Sequence, residues 1–130
     1  MNQILIVDDS PTIRRMVKAS LAPLSGGCEF VEAASGLEAI ERLAIGPVEL
    51  MVLDLNMPDM HGLDVLRFVR SHGQYGAVPV LVLTTRGDVT SRDAALEAGA
   101  SAYMTKPFSP PALAATMKEL LVHVDARTAR

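Results

Sequence analysis

The chain has 130 residues, enough for one domain that buries a single core without disulfide bonds. Its formal net charge of -3 argues against binding to nucleic acid or to a membrane surface, because both depend on clustered Lys and Arg. Cys28 is the only cysteine, which excludes an internal disulfide and is typical of an intracellular protein. The apolar run near the N-terminus is too short for a signal peptide or a membrane span, so we expect a soluble cytoplasmic protein.

Short apolar runs alternate with longer segments of helical period along the whole chain. In chain order the predicted elements are strand 3–8, helix 10–24, strand 28–33, helix 35–44, strand 50–54, helix 63–71, strand 78–85, helix 88–100, strand 102–105 and a final helix that starts after residue 109. Strict alternation of strand and helix implies an all-parallel sheet with right-handed crossovers and helices on both faces. The sequence therefore predicts a doubly wound α/β fold of the (βα)5 type.

Residues that favour helix ends flank these predicted helices. Ser10, Ser35 and Ser109 stand where an N-cap is expected, and Ser35 precedes Glu38 by the spacing of a capping box. Gly99 is typical of a helix C-terminus. The apolar residues expected to face the core are Ile13, Met16, Val17 and Leu21 in the first helix, Leu63, Leu66, Phe68 and Val69 in the third, and Leu113, Met117, Leu120 and Leu121 in the last.

Polar and charged residues stand at the carboxyl ends of the predicted strands. Asp8 and Asp9 end the first strand, Asp54 the third and Thr84 the fourth, and Lys106 follows the fifth. Ligand sites of doubly wound sheets lie at these ends, near the point where strand order reverses. Each residue alone has an ordinary explanation, as a helix cap, a strand residue or a solvated charge. Their combination at one edge of the sheet favours a functional site.

Asp54 ends an apolar run in which no basic residue can pair with it. A buried carboxylate without a partner is costly, and three acids in one crevice repel each other unless a cation neutralises them. An all-oxygen site suits Mg²⁺, which binds through one or two carboxylates together with water and phosphate oxygens. With the Lys106 ammonium and the Thr84 hydroxyl, such a site can hold a phosphoryl group. The sequence has no glycine-rich nucleotide-binding motif, so a nucleotide is not the expected ligand.

Four sequence motifs follow one another along the chain, VDDS at 7–10, LDLNMPDMHGL at 53–63, LTT at 83–85 and YMTKPF at 103–108. Through these motifs the chain resembles the receiver domains of two-component response regulators, most closely the single-domain chemotaxis type, the CheY-like proteins. The resemblance implies a flavodoxin-like sheet of five parallel strands in the order 2-1-3-4-5. It also implies a receiver domain over residues 1–124 and a polar C-terminal tail over residues 125–130.

The resemblance implies an acidic metal site around a phosphoryl acceptor. Asp54 would accept the phosphoryl group and would also bind Mg²⁺. Asp9 would ligate the metal directly, Asp8 would hold it largely through water, and Asn56 would contribute its backbone carbonyl. Mg²⁺ is therefore the expected cofactor.

The same resemblance assigns roles to residues on the fourth and fifth strands and just after them. Lys106 would contact the acceptor carboxylate and then a phosphoryl oxygen, and the Lys106-Pro107 peptide bond would be cis. Thr84 would hydrogen-bond the phosphoryl group, and Tyr103 would move inward behind it. These two residues are the expected switch.

The chain departs from the family pattern at the mouth of the expected site. The family usually has Ala or Gly after the switch threonine, whereas this chain has Thr85, whose bulk would slow entry of a phosphodonor or of water. Arg86 follows at a variable position that often tunes dephosphorylation in the family, and Met57 borders the site. We expect these three residues to modulate access to the acceptor.

The resemblance implies a monomeric switch in a two-component phosphorelay, and not an enzyme. A CheA-like histidine kinase would donate a phosphoryl group from a phosphohistidine to Asp54. The added charge would change the face made by the fourth helix, the fifth strand and the fifth helix. A flagellar motor switch or another phosphorelay protein would bind that face, and neither a nucleic acid nor a membrane is an expected partner.

Other interpretations stay open from the sequence. The chain could be a phosphorelay intermediate or a phosphate-sink receiver, without a role in chemotaxis. It could be a small Mg²⁺-dependent phosphohydrolase that uses Asp54 as a transient nucleophile, although such enzymes carry an acid where this chain has Asn56. It could also be a fragment of a larger regulator, which the N-terminal Met1 argues against.

Overall fold

Strand and helix alternate through the whole structure, as predicted. The computed structural model describes residues 3–24, 26–73 and 75–128, with side chains up to residue 121. Its elements are β1 Gln3–Val7, α1 Pro11–Leu21, β2 Glu29–Ala33, α2 Gly36–Ile45, β3 Val48–Leu53, α3 Gly62–Ser71, β4 Val80–Thr84, α4 Val89–Glu97, β5 Ala102–Thr105 and α5 Pro110–Thr128.

Element ends differ from the predicted ones by a few residues. The third strand starts at Val48, earlier than predicted, and the fourth starts at Val80, later than predicted. The first helix ends at Leu21 and continues as a 3₁₀ turn over Ala22–Leu24, where a proline lacks the N–H that a further α-helical turn needs. The backbone of α5 is helical to Thr128, into the segment predicted as a tail, and residues 129 and 130 lie outside the described residues.

The sheet confirms the predicted topology. Its five strands lie in the order β2-β1-β3-β4-β5, and every neighbouring pair is parallel. The order reverses beside β1, so the carboxyl ends of β1 and β3 meet at the switch point, with β4 next to β3. This is the flavodoxin-like doubly wound fold. Within the described residues, no helix has the length and apolar character needed to cross a membrane.

Alternate residues of the central strands face two separate hydrophobic layers. Leu5 and Val7 of β1 point into a layer with α2, α3 and α4, whereas Ile4 and Ile6 point into a layer with α1 and α5. All four side chains are at most 1% exposed. A strand covered on both faces reads as a continuous apolar run, which is why these segments carry so few polar residues before their last position.

The predicted helix caps are confirmed. The Ser10 hydroxyl accepts a hydrogen bond from the N–H of Ile13 at 3.2 Å, and the Ser35 hydroxyl accepts one from Glu38 at 3.2 Å. Gly99 follows α4 with a φ of 111°, a conformation that favours glycine.

Two of the predicted core positions are wrong. Met16 is 45% exposed, and Val17 and Leu21 alone form the fully buried stripe of α1. Phe68 is 37% exposed, and its ring lies against the edge of the aromatic pair His72 and Tyr75 instead of entering the core. Both side chains stand at the border of an apolar helix face, where helical spacing alone does not decide burial.

Candidate functional site

The first two acids of the site follow β1. The Asp8 side chain is buried, and its Oδ1 accepts a hydrogen bond from the N–H of Ser10 at 2.9 Å. The Asp8 carbonyl accepts a second bond from Arg14 Nη1 at 2.6 Å, and the same guanidinium binds Glu32 at 2.9 Å. Asp9 is exposed beside it. The turn after β1 therefore holds one acid rigidly inward and presents the other to solvent.

The third acid, Asp54, follows β3 and is only 4% exposed. Its Oδ1 accepts a hydrogen bond from the N–H of Asn56 at 3.3 Å. Burial raises the pKa of Asp54 above the usual range, and the negative charges of Asp8 and Asp9 raise it further, whereas Lys106 lowers it. The carboxyl group is thus held in surroundings that oppose its charge, and perturbed pKa values of this kind cluster at functional sites.

Lys106 supplies the cation that the sequence around Asp54 lacks. Its Nζ lies 2.6 Å from Asp8 Oδ2 and 3.6 Å from Asp54 Oδ2, so the ammonium bridges both buried acids and is closer to Asp8. Its backbone N–H donates to the Thr84 carbonyl at 2.8 Å, which fixes the start of the loop after β5. The Lys106-Pro107 peptide bond is cis.

The three acids together form a group able to hold a metal ion. Asp8, Asp9 and Asp54 each offer a carboxylate oxygen, and these oxygens all lie within 4.8 Å of one another. The donor set contains oxygen alone and carries more negative charge than Lys106 balances, which fits a hard divalent cation such as Mg²⁺. The backbone of Asn56 stands two residues beyond Asp54 on the same loop, as the predicted fourth ligand requires.

Thr84 and Tyr103 both contact the backbone of Arg86. Thr84 ends β4 with its side chain fully buried, and its Oγ1 accepts a hydrogen bond from the Arg86 N–H at 3.4 Å. The Tyr103 hydroxyl donates to the Arg86 carbonyl. Tyr103 is paired with Val82 across β4 and β5, so the predicted switch residues stand on adjacent strands and share one loop.

The residues predicted to control access lie on the loops after β3 and β4. Thr85 and Arg86 are exposed, and Arg86 Nε donates to the Asn56 side-chain oxygen at 3.2 Å, which joins the loops after β3 and β4. Met57 is half-buried and lines a cavity of about 440 Å³ that begins at Asp9. The hydrogen bond between Arg86 and Asn56 was not apparent from the sequence.

Sequence reasoning missed Arg14, Asp59 and His61 as residues that shape the site, whereas Gly62 was expected to shape the loop after Asp54 or to be a simple turn residue. Arg14 holds the end of β1, and Asp59 accepts hydrogen bonds from the start of α2. The His61 side chain caps α3. Gly62 packs so closely that an added Cβ would lie 2.4 Å from the Asp54 carbonyl oxygen, so this position needs glycine. Of the three missed residues, only His61 precedes a predicted helix, where a cap could have been expected.

Comparison with known proteins agrees with this geometry. Residues 4–118 match the family described as response regulator receiver domain. The chemotaxis protein CheY1 of Helicobacter pylori is 38% identical over 120 residues, 92% of this chain and 96% of CheY1. The transcriptional regulatory protein SrrA of Staphylococcus aureus is 39% identical over 127 residues, 98% of this chain and 51% of SrrA. The structure of the chemotaxis response regulator CheY4 of Vibrio cholerae matches with a TM-score of 0.83 at 35% identity, over 93% of this chain and 99% of that chain.

A doubly wound sheet with three acids and a lysine at its switch point thus coincides with a family match over most of the chain. The chain belongs to the receiver domain family of response regulators. It is accordingly a signalling domain of the two-component type, similar to the CheY proteins of bacterial chemotaxis.

Proposed function

We propose that the protein is a phosphorylation-operated switch whose acceptor is Asp54. The observation that carries the proposal is the position of this carboxylate, which is buried within 4.8 Å of Asp8 and Asp9 and 3.6 Å from Lys106 Nζ. The Asp54 side chain is only 4% exposed and its pKa is raised by burial, and its Oδ2 still lies near the Lys106 ammonium. A histidine kinase of the CheA type is the proposed donor.

In the proposed reaction an Asp54 carboxylate oxygen attacks the phosphorus of a phosphohistidine. A phosphorus–oxygen bond forms, the phosphorus–nitrogen bond breaks, and the imidazole nitrogen leaves with the electron pair and takes up a proton. Mg²⁺ bound by Asp8, Asp9, Asp54 and the Asn56 carbonyl would neutralise charge on the phosphoryl oxygens. Lys106 Nζ, freed from part of its contact with Asp8, would hold one of those oxygens, and the Thr84 hydroxyl would donate to another.

The proposed output is a changed surface for a protein partner in the cytoplasm. The loop that Thr84 and Tyr103 share leads directly into α4, where Val89 is 72% and Leu96 is 42% exposed. Because CheY1 of Helicobacter pylori is named as a chemotaxis protein and matches over nearly its full length, a flagellar motor switch is the partner we propose first. A downstream phosphorelay protein is the alternative, and we expect a monomer in either case.

Labelling with acetyl phosphate and Mg²⁺ tests the acceptor. We expect one phosphoryl group on Asp54, lost in alkali and retained in acid, as is usual for an acyl phosphate. Asp54→Asn should stay unlabelled in intact-mass measurements, whereas Asp64→Asn, a change to an exposed acid on α3, should be labelled like wild type. Equal labelling of Asp54→Asn would contradict the proposal, and steady turnover of generic phosphoesters would favour a phosphohydrolase instead.

A further inference from the structure

Asp59 connects the loop after the acceptor to a helix that is distant in sequence. Its Oδ1 accepts a hydrogen bond from the N–H of Gly36, and its Oδ2 accepts one from Leu37, both at 3.0 Å. These two amides are the first of α2 and have no partner within the helix. The two hydrogen bonds lower the pKa of Asp59, with the bond from Leu37 as the largest cause, so the carboxylate is charged at neutral pH.

The loop and the helix also pack closely at this point. A Cβ added to Gly36 would lie 2.8 Å from Met60 Cβ and 3.0 Å from Val65 Cγ2. Only glycine fits at position 36, because a larger residue would collide with Met60 and Val65. The hydrogen bonds of Asp59 therefore join the loop to α2 at a point where the two are already closely packed.

The same loop is fixed at its base by a separate bond. The N–H of Gly62 donates to the Leu55 carbonyl at 2.8 Å and closes the segment between them. The base bond and the Asp59 bonds thus hold the segment at two points. Asn56, whose carbonyl is the proposed fourth metal ligand, lies between those points.

We propose that Asp59 is a positioning residue for the metal and phosphoryl site, because its tie to α2 sets where the Asn56 carbonyl lies relative to Asp9 and Asp54. The inference rests on the proposed function and adds a residue outside the set of direct ligands. Residues that orient metal ligands typically change metal affinity when they are replaced, although they do not contact the metal. Asp59 should behave in this way, since its two hydrogen bonds join the loop to the start of α2.

The competing explanation is that Asp59 only caps α2. A substitution of Ser35, which caps the same helix, distinguishes this explanation from a positioning role. The Ser35 hydroxyl accepts from the Glu38 N–H at the same helix end, and among the described residues it has no hydrogen bond to the loop. Ser35→Ala and Asp59→Ala should both lower the melting temperature, because each leaves helix amides unpaired. Only Asp59→Ala should also weaken Mg²⁺ binding.

The experiment is calorimetric titration of Mg²⁺ into the whole protein and its variants. We expect Asp59→Ala to lose about tenfold in Mg²⁺ affinity, and Ser35→Ala to stay within about twofold of wild type. Asp59→Asn keeps one acceptor oxygen and should give an intermediate loss. The rate of labelling by acetyl phosphate should fall in Asp59→Ala at low Mg²⁺ and recover at saturating Mg²⁺, because Asp54, Lys106 and Thr84 are unchanged.

Two results would overturn this inference. One is wild-type Mg²⁺ affinity in Asp59→Ala, and the other is an equal loss of affinity in Ser35→Ala, which would mean that the helix end matters and the loop does not. The failure of the proposed function is distinguishable, because wild type itself would then show no Mg²⁺-dependent labelling of Asp54.

Discussion

The proposed role of Asp54 requires a side chain that is both buried and charged, and these two requirements oppose each other. Its side chain is 4% exposed, and burial raises its pKa even though Lys106 Nζ lies 3.6 Å away. Part of the ammonium's attraction is taken by Asp8, at 2.6 Å. A carboxylate that is under-neutralised in this way is a better ligand for a metal ion than a fully paired one, at a cost in the stability of the metal-free fold.

Removing the charge of Asp54 should therefore stabilise the metal-free protein. At pH 7 without divalent metal, Asp54→Asn should raise the free energy of unfolding on the order of 1 kcal/mol, since an unfavourable buried charge is lost. A carboxyl with a raised folded pKa stabilises the fold fully below its unfolded pKa and loses that contribution as the pH rises through the folded pKa. The extra stability of Asp54→Asn should thus appear as the pH rises from the unfolded to the folded pKa of Asp54, and it should stay constant at higher pH. Urea unfolding at several pH values measures this difference.

Asp88 offers a control of opposite sign. Its carboxylate accepts hydrogen bonds from the Ser91 N–H at 2.9 Å and from the Ser91 hydroxyl, and these bonds lower its pKa. Wild type should be more stable than Asp88→Asn at neutral pH, and the difference should disappear as the pH falls through the lowered folded pKa. If Asp54→Asn followed that same pattern, the attraction of Lys106 would outweigh the burial of Asp54.

Sequence reasoning identified single residues when they directly follow a strand. Asp8, Asp54 and Lys106 could be predicted to converge because parallel strands end at one edge. The contact of Asp59 with α2 could not, because it joins residues 23 positions apart through a loop whose path the sequence does not state. Nor did the sequence indicate that Lys106 lies nearer to Asp8 than to Asp54, which depends on side-chain packing.

At the scale of helices and strands, Arg70 connects elements that the chain keeps apart. From α3 its guanidinium donates to the carbonyls of Gly99 at 2.9 Å, Gly76 at 3.0 Å and Val78 at 2.6 Å. A Cβ on Gly99 would lie 2.8 Å from Arg70 Cγ, so the side chain lies directly against the end of α4. One side chain thus holds the entry to β4 and the exit of α4 together.

Arg70→Ala should loosen both ends of this connection. We expect a loss of about 2 kcal/mol in the free energy of unfolding, because charge-assisted hydrogen bonds to partly buried carbonyls are lost. Amide hydrogen exchange should accelerate at Ala100 and Ser101, between α4 and β5, with little change in β1.

Arg67→Ala is the matched control on the same helix. Arg67 pairs with Asp64 at 3.3 Å, and both side chains are at least 60% exposed, so its removal should change stability by less than about 0.5 kcal/mol. Equal losses of stability in the two variants would show that Arg70 acts through helix propensity. Its hydrogen bonds to the loop carbonyls would then contribute nothing measurable to stability.

The sequence predicted helix existence and caps more reliably than helix faces. Ser10 and Ser35 cap their helices through a local bond that depends on residues three positions away. Met16 and Phe68 were assigned to the core wrongly, since burial depends on which neighbouring element covers the edge of a face. Phe68 found partners in His72 and Tyr75, which lie beyond the helix that the periodicity described.

For the whole molecule, alternation of strand and helix predicted the fold class but not the order of strands. The order 2-1-3-4-5 followed from the family resemblance, and the structure confirms it. That order places β4, which ends at Thr84, between β3, which Asp54 follows, and β5, which carries Tyr103. Asp54 and Tyr103 are thus two strands apart.

The backbone of Arg86 joins the side chains of Thr84 and Tyr103 through two hydrogen bonds. Its N–H donates to Thr84 Oγ1 at 3.4 Å, and its carbonyl accepts from the Tyr103 hydroxyl. If the Thr84 hydroxyl turns to donate to a phosphoryl oxygen, the Arg86 N–H loses its acceptor and the loop is free to move. The Tyr103 hydroxyl then loses its acceptor in turn, and the ring can follow the space vacated by Thr84.

We therefore predict that Thr84→Ala still accepts a phosphoryl group on Asp54 but does not transmit the change to α4 and β5. Lys106 and the acidic cluster keep most of the charge stabilisation, whereas the link to Arg86 is lost. Amide NMR with and without beryllofluoride measures the response, and a double-mutant cycle with Tyr103→Phe should give a coupling on the order of 1 to 3 kcal/mol. Tyr103→Phe alone should still show amide shifts in α4 when beryllofluoride is added. In this variant no hydrogen bond from a hydroxyl to the Arg86 carbonyl has to break first. Equal shifts on that face in wild type and Thr84→Ala would mean that the signal leaves the site by a route that does not involve Thr84.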